Sequence, residues 1–204
     1  MKAIVLGALG LTLTLAPPGD EETPTLLRAT LRSQDFLWHT VSLDNADSGK
    51  VLNGRQIFNR DSDLDFGVRN PDAFTVGVQG GQIANIIDCG HWKELAFEYG
   101  YEETVGGGHG FNSIRFENGI LVILEDRENQ TYQPFTKGNT FLEMTPNGSD
   151  TSRVHPGHVY LVHILDRHDP TVEHIAKLFV LSHVKDQEVT LTWENLDRKF
   201  PLAR

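Results

Sequence analysis

Between His158 and Asn195 the chain reads HVYLVHIL, DRHDPTVEH, IAKLFVLSHV, KDQE and VTLTWEN. Three runs dense in β-branched, aliphatic and aromatic residues, parted by short polar segments, suit a pleated sheet rather than a helix. KDQE is too short for a parallel crossover, so the spacing predicts an antiparallel three-stranded meander. The same texture continues upstream. FLWHTVSL (36–43), RQIFN (55–59), DLDFGV (63–68), AFTVGV (73–78) and QIANIID (82–88) are short β-type runs punctuated by Gly, Asn, Asp and Pro. In SIRFENGILVILED the pair Asn118-Gly119 parts two apolar runs, and both residues tolerate the positive φ of a tight hairpin turn. WKELAFEY (92–99) is the best helix candidate, and TLLRATLRS (25–33) fits either a short helix or a strand. The expectation is an all-β fold, an antiparallel sandwich or open barrel of about ten short strands with little helix.

The 204 residues suffice for one core. Twenty-eight acidic residues against 18 basic ones give a net charge of −10, which argues against nucleic acid as a partner. Phosphate binding needs a clustered Lys/Arg surface. A single cysteine, Cys89, excludes an intrachain disulfide framework and a cysteine-based zinc site.

Lys2 followed by the apolar run Ala3–Leu15 and then an acidic, Pro-containing stretch has the layout of a signal peptide. The run of 13 residues is short for a bilayer span. Thr14-Leu15-Ala16 fits the small-residue rule for cleavage, while Pro17 disfavours cutting there. KAIVLGALG superficially resembles a nucleotide-binding strand, but it lacks GxGxxG and Pro17-Pro18 stops any following helix. The expected organisation is a signal peptide over 1–16, an acidic linker and ambiguous first segment over 17–34, one β-rich domain over 35–196 and a tail over 197–204. Such a chain is secreted or periplasmic and does not span a membrane once the signal is removed.

Five histidines crowd HPGHVYLVHILDRHDPTVEH (155–174), and His183 follows. Strand alternation puts His158, Tyr160, Val162 and Ile164 on one face, with His163 on the other beside Val159, Leu161 and Leu165. If Leu165 pairs with Ala176, His158 lies directly opposite His183, close enough for two imidazoles to chelate one ion. His155 could then swing in as a third ligand. A one-residue slip destroys this arrangement, because it swaps the faces. His155, His158 and His183 are therefore the candidate metal ligands, weighed against plain surface histidines in an acidic protein. His168 and His174 read as loop residues, and His163 as a satisfied, half-buried one. No HExxH or other established metal signature accompanies them.

Other candidates point more weakly to chemistry. Cys89 in DCGHW lies two residues from His91, but it follows an apolar run as a small hydrophobe does, and that reading is favoured over a nucleophile. VGGGHGF (105–111) lacks the GK[ST] ending of a phosphate loop and reads as a glycine-rich loop carrying His109. Glu102-Glu103 and Glu125-Asp126 are adjacent carboxylates and do not specify a glycosidase. Asp61, Asp63 and Asp65 resemble half of a calcium loop without its closing glutamate. Asn129 and Asn147 head glycosylation sequons.

Two segments together form a recognisable pattern: DSDLDFGVRNPDAFTVGVQGGQIANIIDCG, and PGHVYLVHILDR with EHIAKLFVLSHVKDQEVTLTWEN. They resemble the HmuY-like exported β proteins over around 70 of the 204 residues, through strand patterning plus Tyr160, Lys177 and Trp193. The resemblance implies an exported, β-rich binding protein, with haem as the ligand in the founding members. The segment from Gly90 to Phe135 carries an extra hairpin where that family's ligand-proximal region is expected, and no haem-ligating histidine is matched.

The expected function is thus that of an exported, non-enzymatic binding protein for haem or a transition metal through histidines. One alternative is a periplasmic or cell-surface module that recognises a protein or glycan without a cofactor, through aromatics such as Trp38, Trp92, Tyr99 and Tyr101. A second is a hydrolase with its site near Gly106–Gly110.

Overall fold

The computed structural model describes residues 26–33, 40–47, 62–78, 82–98, 114–126, 128–142, 149–169 and 171–199. In chain order the elements are β1 (Leu27–Arg32), β2 (Thr40–Val41), β3 (Leu64–Phe66), β4 (Ala73–Val76), β5 (Gln82–His91), α1 (Trp92–Glu98), β6 (Ile114–Glu117), β7 (Ile120–Asp126), β8 (Thr131–Pro134), α2 (Thr136–Leu142), β9 (Thr151–Arg153), β10 (His158–Asp166), β11 (Glu173–Val184) and β12 (Glu188–Lys199). The fold is all-β and antiparallel. Three sheets form, in the orders β1-β12-β11-β10-β5, β2-β3-β4-β9 and β6-β7-β8. The ambiguous segment 25–33 is strand: β1 pairs with β12, from Leu27 opposite Trp193 to Arg32 opposite Glu188. β12 also runs past residue 196 to Lys199, into the stretch expected to be a tail.

The five-stranded sheet is the centre of the molecule, and each of its faces is covered. One face packs Ile86, Tyr160, Val162, Leu178, Val180, Leu191 and Trp193 against Val41, Leu64, Phe66, Phe74 and Val76 of the four-stranded sheet. The opposite face packs Cys89, Val159, Leu161 and Phe179 against Leu95 of α1, Phe141 of α2, and Ile114, Leu121 and Ile123 of the three-stranded sheet. Burial on both faces explains why β10 and β11 are nearly continuous apolar runs instead of alternating ones.

Local chemistry fixes the connections. Asn118 (φ 51°) and Gly119 (φ 86°) form the β6–β7 turn that the sequence predicts. α2 escapes the sequence reading, because TKGNTFL places a glycine mid-helix. Packing reverses that preference: a Cβ on Gly138 would lie 2.5 Å from Phe135 and 2.8 Å from Leu121. Asn139 completes the dock, accepting from Leu121 N at 2.8 Å and donating to Leu121 O at 2.9 Å.

Lys177 lies in the second core with no exposed surface. Its Nζ donates to Ile114 O at 3.0 Å and sits 3.2 Å from Glu194 Oε2. Burial pushes its pKa down to about 8, and Glu194 opposes that shift. The ammonium pins β6 to the central sheet; it is a structural cation.

Candidate functional site

The histidine cluster forms where β5 meets β10, and an extra residue in β5 creates it. His91 pairs with His158 and Gly90 with Val159, but Asp88 pairs with Tyr160, so Cys89 is a bulge. In a regular strand Asp88 and His91, three apart, point to opposite faces. The bulge turns both toward the face of His158 and leaves Cys89 in the second core. Gly90 supplies the required backbone at φ 110°, and Asp88 Oδ1 accepts its N–H at 2.8 Å.

The same carboxylate holds His158: both Asp88 oxygens lie 2.9 Å from His158 Nδ1. A carboxylate accepts, so Nδ1 carries the hydrogen, and in the neutral ring the lone pair is then on Nε2. The side chain is 25% exposed, so ligand can reach it. His155 is exposed in the preceding loop, and its ring centre lies 4.9 Å from that of His158, tilted by 39°. Tyr160 fixes this loop from below, its hydroxyl donating to Arg153 O and accepting from His155 N, each at 2.9 Å. His91 meets His158 edge to face at 5.7 Å and stacks on Trp92 at 6.0 Å. Its Nδ1 accepts from Lys93 N at 3.2 Å. Its Nε2 rests against Gly157 (φ 77°), where a Cβ would approach to 2.6 Å. Lys137 Nζ caps the Asp88 carbonyl at 2.8 Å.

Two of the three predicted ligands, His155 and His158, are thus brought together; His183 is not. The hairpin pairs Val159 with Phe179 and Leu165 with Glu173, three residues out of step with the Leu165–Ala176 pairing that would oppose His158 to His183. The residue facing His158 is therefore Val180, and His183 lies about 10 Å further along the strand. Asx turns at Asp166, which accepts from His168 N and Asp169 N, shorten the loop. The alternation of faces could not reveal this register, because both faces of the hairpin are apolar. A second bulge, at Leu181, returns His183 to the face of the first core. There its Nε2 meets Asp72 Oδ1 at 2.9 Å and its ring packs against Phe66. Asp72 also accepts from Asp186 N at 2.7 Å, so His183 straps the β11–β12 turn to the β3–β4 turn.

His163 and His174 serve the fold. His163 is buried, with Nε2 2.9 Å from Glu173 Oε1. His174, expected on a loop, is buried in β11 with Nε2 2.9 Å from Asn195 Oδ1. His168 is exposed in the hairpin loop, and His109 lies outside the described residues.

The competing chemistries find less support. Burial pushes the Cys89 thiol up to about 12, which removes it as a nucleophile. Asp126 is a turn former, accepting from Glu128 N and Asn129 N. Asp63 is taken up by Leu43 N at 2.8 Å and Gln82 Nε2 at 3.2 Å, while Asp61 lies outside the described residues. The Gly106–Gly110 loop, Glu102-Glu103, Asn147, Trp38, Tyr99 and Tyr101 also lie outside them, as does the whole candidate signal peptide. Trp92 is half-buried and packs against the second core.

Among the described residues, no group of three or more His, Cys, Asp or Glu side chains is placed to hold a metal ion. No helix among them is long and apolar enough to cross a membrane. The sequence reading missed Asp88 and His91 as members of the cluster. Their signal was the glycine of DCGHW, which ends the regular alternation. Comparison with protein families, with curated proteins and with solved structures finds no match to this chain.

Proposed function

We propose that this chain is an exported, non-enzymatic binding protein that takes a ligand with a Lewis-acidic metal centre, haem or a transition-metal ion, through His158 and His155. The observation that carries the reading is the Asp88–His158 pair beside an exposed second imidazole. Metal-ligating histidines characteristically donate their other ring N–H to a carboxylate, which fixes the tautomer and raises the basicity of the free nitrogen. Asp88 performs that task for His158. Export rests on the N-terminal sequence, Lys2 followed by Ala3–Leu15. A hydrolase reading lacks a nucleophile beside His158 among the described residues, since Cys89 points into the second core.

The purified protein is expected to retain about one equivalent of haemin, Zn²⁺ or Cu²⁺ after gel filtration, read by visible absorption and elemental analysis. A His155→Ala/His158→Ala double variant should lose that retention while keeping its circular-dichroism spectrum. A wild-type protein that retains neither haemin nor either ion overturns the proposal and favours a cofactor-free interaction module.

A further inference from the structure

We infer that the ligand is a transition-metal ion of the Zn²⁺/Cu²⁺ class rather than haem, bound by His155 and His158 together, with Asp88 as the positioning carboxylate; His91, whose Nδ1 accepts from Lys93 N and whose Nε2 rests against Gly157, packs beside the pair without ligating. This inference rests on the preceding proposal and narrows it.

The separation of the rings decides between the two ligands. With a metal–nitrogen bond of about 2.1 Å and roughly 1.1 Å from nitrogen to ring centre, each ring centre stands about 3.2 Å from the ion. Two imidazoles on one ion then have centres about 4.5 Å apart at a right angle, about 5.2 Å at the tetrahedral angle and about 6.4 Å when opposed. The observed 4.9 Å for His155–His158 falls between the right-angle and tetrahedral values for neighbouring positions on one ion, whereas the 5.7 Å for His91–His158 lies beyond both. Haem held by two histidines needs the opposed arrangement, with the porphyrin between the rings. No porphyrin fits between rings 4.9 Å apart. Haem could therefore use one member of the pair, whereas an ion uses both.

The flanking charges do not reverse this choice. Among the described residues, cations beside the cluster include Lys93, over the Trp92 ring, and Lys137, on the Asp88 carbonyl. Against them stand the carboxylates of Asp88 and of Glu94, whose Oε2 lies 3.7 Å from the position a Cβ on Gly90 would take. Charges of both signs flank the rings, so the choice rests on donor geometry. Imidazole donors with open positions suit Zn²⁺, Cu²⁺ and Ni²⁺. His155, exposed on its loop, can turn about its Cβ–Cγ bond to choose which nitrogen it offers while its ring centre stays nearly in place. The two rings thus offer an open, two-imidazole site whose remaining positions are left to ion-bound water, in keeping with the lack of any three-ligand group among the described residues.

Titration of the full chain with Zn²⁺, with Cu²⁺ and separately with haemin, by calorimetry and by visible absorption, tests the inference. One ion should bind per chain. His155→Ala and His158→Ala should each weaken ion binding by about tenfold or more, and Asp88→Asn by about 10- to 100-fold. His183→Ala, outside the cluster, should leave it unchanged. Haemin retention that survives loss of either His155 or His158, with no ion retention, overturns this inference and leaves the broader proposal standing. Ion binding insensitive to both single variants overturns it as well, and failure of haemin and both ions to bind defeats both readings. Near-ultraviolet circular dichroism on each variant separates lost ligands from lost fold.

Discussion

Replacing Trp193 by alanine is expected to destabilise the protein by about 3 to 5 kcal/mol, enough to abolish most of the stability of a typical domain. Trp193 heads the fully buried side chains by volume and has no exposed surface. It stands on β12, between β1 and β11, and faces the four-stranded sheet. Its indole Nε1 donates to Leu43 O at 2.8 Å, tying that sheet to the central one. Alanine removes the ring and leaves a cavity that strands on both sides hold open. Trp193→Phe should cost markedly less, because Asn195 Nδ2 also donates to Leu43 O at 3.0 Å and keeps that carbonyl paired. Urea unfolding of both variants checks the ranking. Equal losses for Phe and Ala would mean that the hydrogen bond, and not the ring, holds the sheets together.

Asp65 should give the wild type a large pH dependence. It lies in a buried cross-strand row of polar residues, opposite Thr40 on one side and Thr75 on the other, and is 6% exposed. Burial raises its carboxyl from 3.8 to about 7, with Thr75 and Arg69 opposing the rise. A carboxyl whose folded pKa lies above its unfolded value favours the folded state below the unfolded pKa. That contribution is lost as the pH climbs to the folded value. Three pKa units correspond to on the order of 4 kcal/mol. Between pH 4 and pH 7.5 the stability of Asp65→Asn should therefore rise relative to wild type by up to about 4 kcal/mol. Comparing the two proteins cancels the contribution of Asp63, whose carboxyl is also raised by burial. A difference that stays constant across this range would show that Asp65 is ionised and satisfied in its row.

Both of these residues sit in parts of the fold that the sequence displays well. The Asn118-Gly119 turn and the C-terminal meander follow from local chemistry, since positive φ and β-branched density act within a few residues. What the sequence hides is register. β10 and β11 are apolar on both faces, so sliding one by three residues leaves the hydrophobic pattern nearly intact and moves His183 away from His158. The bulges at Cys89 and Leu181 hide more, because each inverts the alternation beyond it. His155 and His158 could be singled out because they are near in sequence. Asp88 is 70 positions from His158, and only the β5–β10 pairing joins them. α2 is illegible for a different reason: its glycine and threonines disfavour a helix, and the Gly138 and Asn139 contacts impose one.

The most direct test of the histidine site is to follow the imidazole nitrogens by ¹⁵N magnetic resonance while Zn²⁺ is added. Before addition, His158 should show a protonated Nδ1, as its bond to Asp88 requires. On addition, the ligating nitrogens of His155 and His158 should shift together to one equivalent, with His158 Nδ1 still protonated. Those of His163, His174 and His183 should stay where they are. Unmoved resonances for His155 and His158, or shifts confined to His183 and its neighbours, would contradict the account.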